Sequence, residues 1–110
     1  MTRPHAPRLA LSLALVLAAC GASPAPQFFG AERHDMIIEG IDFTVFLKDG
    51  QAEVIRHGYL SRAERDRVPP LMIRAAETAA GCAVAGPARG LWASPSLPGD
   101  TGEARFKMSC

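Results

Sequence analysis

Asp42 and His57 come closest to a catalytic pairing in this sequence. If Asp49-Gly50 forms a two-residue type I′ turn, Lys48 pairs with Gln51, Val45 with Val54 and Asp42 with His57, and a carboxylate faces an imidazole across two strands. Such a pair orients a histidine for hydrolysis, and Thr44 and Tyr59 lie near it on the same face. Nothing in the sequence activates either hydroxyl as a nucleophile, so a cross-strand surface pair is the simpler expectation. Glu32, His34 and Asp35 are potential metal ligands, but consecutive residues of a loop rarely converge on one ion without further donors. Arg62, Arg65 and Arg67, interleaved with Glu64 and Asp66, read as a solvated turn of mixed sign rather than an anion site. Phosphate loops, serine-nucleophile elbows, zinc-helix motifs and nucleotide fingerprints do not occur in the sequence. No catalytic, cofactor-binding or metal residue is therefore assigned.

The elements that would position these groups are few. With 110 residues, 48% of them hydrophobic and 21% charged, the composition is that of one small globular unit. Ile41, Phe43, Val45 and Leu47 alternate with polar positions, a period of two that only Phe46 interrupts, and Gln51 to Tyr59 supplies the second arm of the hairpin. Met36 to Glu39 adds a short extension before Gly40. Ser61-Arg62-Ala63-Glu64 has the spacing of a capping box, cut short by Pro69-Pro70. The main helix is expected over 70–80, with proline in its first turn, Gly81 as its left-handed cap, and Leu71, Met72, Ala75, Ala76, Ala79 and Cys82 on its buried face. Val84 to Trp92 is an edge-strand candidate diluted by glycine and proline, and Ser94 to Gly102 is a loop. Ala104, Phe106, Met108 and Cys110 then alternate with Glu103, Arg105, Lys107 and Ser109 as a last strand. The expected order is β-β-α-β-β, an α+β layer of one helix on a small antiparallel sheet. Phe28 and Phe29 are expected to close one end of the core, and Trp92 is the remaining large aromatic outside these patterns.

The N-terminus has another character. Two arginines fall within Met1 to Arg8, Leu9 to Ala19 is an almost unbroken apolar run of 11 residues, and small residues precede Cys20. This is the pattern of an export signal, and a helix of that length covers only about half of a hydrocarbon core. Leu17-Ala18-Ala19-Cys20 resembles the lipobox of bacterial lipoproteins. The resemblance implies removal of residues 1–19, diacylglycerol on the Cys20 thiol, and anchoring in the cell membrane or outer membrane facing the periplasm. With Gly21 rather than aspartate after the cysteine, it implies the outer membrane under the familiar sorting rule. Two or three acyl chains, each contributing about 0.8 kcal/mol per buried methylene, hold a protein at a bilayer without a spanning helix. Residues 20–27, small and proline-containing, would be the tether, and 28–110 the domain.

Assigning Cys20 to lipid leaves Cys82 and Cys110 as an even pair, expected as a disulfide in an oxidising compartment. A redox pair or thiol metal site is less well supported, since there is no Cys-x-x-Cys spacing and no histidine close by. Removing Arg3 and Arg8 takes the 12 basic residues to 10 against 11 acidic ones, a net charge of −1. A surface so balanced offers no electrostatic reason to bind nucleic acid. Beyond the lipobox, the mature part resembles short alphaproteobacterial exported proteins of no established activity that share an aspartate- or arginine-glycine hairpin and a terminal cysteine. That resemblance implies only the domain outline from Phe28 to Cys110. The sequence thus points to a non-enzymatic accessory or binding module of the cell envelope, held at the membrane beside a possible protein partner. Its rivals are an inhibitor or immunity-type lipoprotein using the 94–102 loop as a plug on a periplasmic enzyme, and a small hydrolase using Asp42 and His57. The oligomeric state is left open.

Overall fold

The computed structural model describes residues 22–94 and 102–110. Cys20 and all but the two ends of the expected 94–102 loop lie outside them. Five antiparallel strands form one sheet, β1 (Glu32–Ile38), β2 (Ile41–Lys48), β3 (Gln51–Arg56), β4 (Ala83–Pro87) and β5 (Glu103–Ser109), in the order β1-β2-β3-β5-β4. A single turn, α1 (Arg62–Arg65), and the main helix α2 (Val68–Ala80) connect β3 to β4. The class is α+β, one main helix on an antiparallel sheet. The order is β-β-β-α-β-β, one strand more than expected.

The additional strand is β1. Its first four residues are polar, which reads as loop, but they occupy a sheet edge where one face and the outer side are open to solvent. What makes it a strand is the turn that follows. Glu39 and Gly40 have φ of 50° and 80°, and Asp49 and Gly50 have 51° and 75°. Both hairpins therefore close through the same two-residue geometry of positive φ that Asn, Asp and Gly favour. A glutamate at the first position concealed the first of these turns. The expected register of the second hairpin is present, with Lys48 opposite Gln51 and Val45 opposite Val54. It continues one pair further, where the His57 N–H donates to the Asp42 carbonyl at 2.9 Å.

One face of the sheet carries Ile38, Ile41, Phe43, Val45, Ala52, Val54 and Met108, all buried against Val68, Leu71, Met72, Ala75 and Ala76 of α2. Small alanines let the helix lie close to the strands. The helix starts at Val68, two residues before the expected position, with Pro69 and Pro70 in the first turn, where no intrahelical N–H is lost. It ends on Gly81 at φ 73°. The capping box forms: the Ser61 hydroxyl accepts from the Glu64 N–H, and the Glu64 carboxylate accepts from the Ser61 N–H. The edge strand near Val84 ends at Pro87, with a bulge between Val84 and Gly86, and Gly90–Trp92 is a 3-10 turn instead of strand.

The opposite face is not left to solvent. Ala22 to Phe29 crosses it, with a 3-10 turn over Pro26–Phe28, and Phe28 is fully buried in edge-to-face contact with Trp92. The stretch expected to be a free tether is thus packed from Ala22 onward, since its proline-fixed backbone lies along the sheet and its N–H groups find partners there. Phe46, which broke the alternation of β2, belongs to this second apolar layer. Phe29 behaves differently from Phe28 and stays 60% exposed.

Candidate functional site

Side chains alternate along each strand, so β1, β2 and β3 present Asp35, Thr44 and His57 on the face away from the helix. Asp35 lies directly opposite Thr44. The Thr44 hydroxyl donates to Asp35 Oδ1 at 2.6 Å, and His57 Nε2 lies 2.7 Å from Thr44 Oγ1. Arg33, two residues before Asp35 on the same strand, donates through Nε and Nη2 to the two Asp35 oxygens at 3.1 and 3.3 Å. The four groups and Asp42 line a shallow cavity of about 270 Å3.

The direction of these hydrogen bonds decides what the arrangement can do. A hydroxyl has one proton, and Thr44 gives it to Asp35. The imidazole must then present Nε2–H to the threonine oxygen. A nucleophile and its base require the reverse, with the hydroxyl proton pointing at an unprotonated imidazole nitrogen. Thr44 is also only 1% exposed, so no substrate atom can reach its oxygen in this conformation. The hydrogen bond from Thr44, followed by those from Arg33 and the nearby charges, holds the Asp35 carboxyl below the usual carboxylate range despite some desolvation. The site is a carboxylate fixed in its charged form and bridged through a buried hydroxyl to a histidine.

Asp42 and His57 do share the wall of this cavity, but the imidazole is engaged by Thr44 and its acid is Asp35, reached through the hydroxyl. Asp42 meets His57 through the backbone. Tyr59 lies beyond the end of β3, 90% exposed. The sequence could have revealed Asp35: reading Glu39-Gly40 as a hairpin turn places Ile38 opposite Ile41 and hence Asp35 opposite Thr44.

Glu32, His34 and Asp35 do not converge, because strand alternation sends Asp35 to one face and Glu32 and His34 to the other. His34 Nε2 is 3.0 Å from Glu32 Oε1, though not in hydrogen-bonding geometry. Among the described residues no group of three or more His, Cys, Asp or Glu side chains is placed to hold a metal ion. Arg67 instead meets Glu39 at 3.6 Å and Arg74 meets it at 3.1 Å, tying the first hairpin turn to α2.

A second polar cluster, which sequence reasoning missed, lies under the N-terminal segment. Glu53 is 2% exposed and Arg105 9%, and Arg105 Nε is 3.1 Å from Glu53 Oε2. The Ala25 N–H donates to Glu53 Oε1, Glu103 also engages the guanidinium, and the Ala93 carbonyl accepts from Arg105 Nη1. The Phe28 ring sits 6.0 Å from the guanidinium carbon. Burial pushes the Glu53 carboxyl up, with Glu103 adding to the rise while the Ala25 N–H and Arg105 oppose it. Every charge in the cluster is used internally, so it fastens 22–28 to the sheet.

Cys82 and Cys110 form the expected disulfide, with their Cα atoms 5.1 Å apart, joining the chain after α2 to the end of β5. No helix among the described residues is long and apolar enough to cross a membrane. Compared with known proteins, the chain matches no family model, no curated protein and no solved structure.

Proposed function

We propose that this chain is an exported lipoprotein, anchored through acylated Cys20, that serves the cell envelope as a non-enzymatic binding or accessory module. The observation that carries the reading is the Cys82–Cys110 disulfide, a bond that persists in oxidising compartments such as the periplasm, in a sequence whose apolar leader ends in Leu17-Ala18-Ala19-Cys20. Two further features support it. The only threonine-histidine-carboxylate chain among the described residues is hydrogen-bonded in the sense opposite to that of an activated nucleophile. Ala22 is already tied to the sheet through Arg33, so an acylated Cys20 two residues earlier would hold the domain within about 7 Å of its attachment point. The face crossed by the N-terminal segment would then be turned to the bilayer, leaving the helical side free for a partner.

Photo-crosslinking of the full chain in a bacterial envelope tests the binding role. Probes on the exposed face of α2, at Ile73 or Arg74, are expected to capture one dominant envelope protein from the anchored form and not from Cys20→Ser. Capture of nothing specific from either face of the domain would reject a protein-binding role.

A further inference from the structure

The two edges of the sheet are built differently. β4 is short, bulged and contains Gly86 and Pro87, the devices that keep an edge from pairing. β1 has none of them: it is seven residues long, pairs with β2 in unbroken register, and among the described residues has no strand on its outer side. The two-residue turn at Glu39-Gly40 makes Ile38 and Ile41 a hydrogen-bonded pair, so Glu32, His34, Met36 and Ile38 bond inward to β2. The backbone N–H and C=O groups of Arg33, Asp35 and Ile37 consequently point outward. We propose that this edge joins a second copy of the chain, β1 against β1 antiparallel, making one continuous ten-stranded sheet about a twofold axis through His34.

The register follows from charge. A twofold axis normal to the sheet pairs residues of the same face, so only slides of two residues are allowed. Centred on His34, Arg33 of each copy lies opposite Asp35 of the other. These are hydrogen-bonded pairs, and the four side chains form a square of alternating charge on the face away from the helix. Sliding by two residues in one direction sets Arg33 on Arg33, and in the other Asp35 on Asp35. Both are penalised as like charges directly opposed. The helix does not obstruct the approach, since α2 packs mainly over β2 and β3.

The symmetry also fits the proposed anchor, though the pairing does not depend on it. A twofold axis normal to the sheet leaves both faces crossed by the N-terminal segments on the same side. The Ala22 carbonyl accepts from Arg33 Nη1 at 3.5 Å on that face. Two lipidated Cys20 residues would therefore reach a single bilayer, where confinement raises the effective concentration of so small an interface.

The test is disulfide trapping in the full chain carrying Cys20→Ser, in which the Cys82–Cys110 bridge leaves an introduced cysteine as the one free thiol. His34 is the central, non-hydrogen-bonded pair, with Cα atoms expected about 4.5 Å apart, within disulfide reach. Glu32 of one copy lies about 13 Å from Glu32 of the other along the strands, beyond reach. His34→Cys is expected to give at least about tenfold more covalent dimer on mild oxidation than Glu32→Cys, and adding Arg33→Glu, which opposes Asp35 with a like charge, should remove that excess. Equal yields from the two cysteines, no dimer from His34→Cys, or a yield insensitive to Arg33→Glu would overturn the proposal.

Discussion

Replacing Arg105 with methionine is expected to lower the stability of the domain by about 3–5 kcal/mol near neutral pH, the range for removing one member of a buried ion pair. The reason is Glu53. Its carboxylate is buried and accepts from the Ala25 N–H, and the guanidinium is its compensating charge. Without it the charge remains buried, and the Ala93 carbonyl and the Phe28 ring also lose their contacts with it. The pH dependence has a definite sign. Burial already places the Glu53 carboxyl above its ordinary range, and losing Arg105 raises it further. As pH falls through that raised value the carboxyl takes up a proton and the stranded charge disappears. The deficit relative to the parent protein should therefore be largest near neutrality and shrink in mild acid. Adding Glu53→Gln should recover most of the loss at neutral pH. Urea denaturation of the three proteins at both pH values measures this, and a deficit that grows in acid would refute the assignment.

Opening the Cys82–Cys110 bridge is expected to cost about 3.5 kcal/mol by chain-entropy reasoning for a loop of this size. The bridge spans 28 residues and ties the chain after Gly81 to the residue that follows the edge-adjacent strand β5. Released, the bulged pairing of β4 with β5 would rely on a short ladder interrupted between Val84 and Gly86. The double variant Cys82→Ser, Cys110→Ser should thus lose protection from amide exchange first in β4, then globally. A thiol reductant added to the parent protein should shift its urea midpoint by the same amount. A loss below about 1 kcal/mol would show that the packing of α2 alone holds these strands.

How much was legible in the sequence depended on whether each element announces itself locally. The Asp49-Gly50 hairpin, α2 with its proline start and glycine stop, and β5 with strict alternation were all readable, because turn chemistry and periodicity agree there. β1 was not, because an edge strand with a polar first half has the composition of a loop, and its turn carries Glu39 where Asp or Asn is the usual sign. Missing that turn also hid the true partner of His57, since Asp35 reaches it only through the pairing of β1 with β2. The second layer was illegible for a different reason. Alternation in β3 and β5 assigns Glu53 and Arg105 to the polar side, and nothing local shows that 22–28 returns to cover them. Phe46 was the one hint: an aromatic on the face marked as solvent-exposed needs something to cover it.

The central claim is the anchor, and the intact mass of the protein isolated from bacterial membranes tests it most directly. The account predicts a chain beginning at Cys20, heavier than its residues by two or three acyl chains, and found in the soluble fraction without that addition when Cys20 is changed to serine. A mature chain with an unmodified Cys20 thiol, or one that retains residues 1–19, would contradict it.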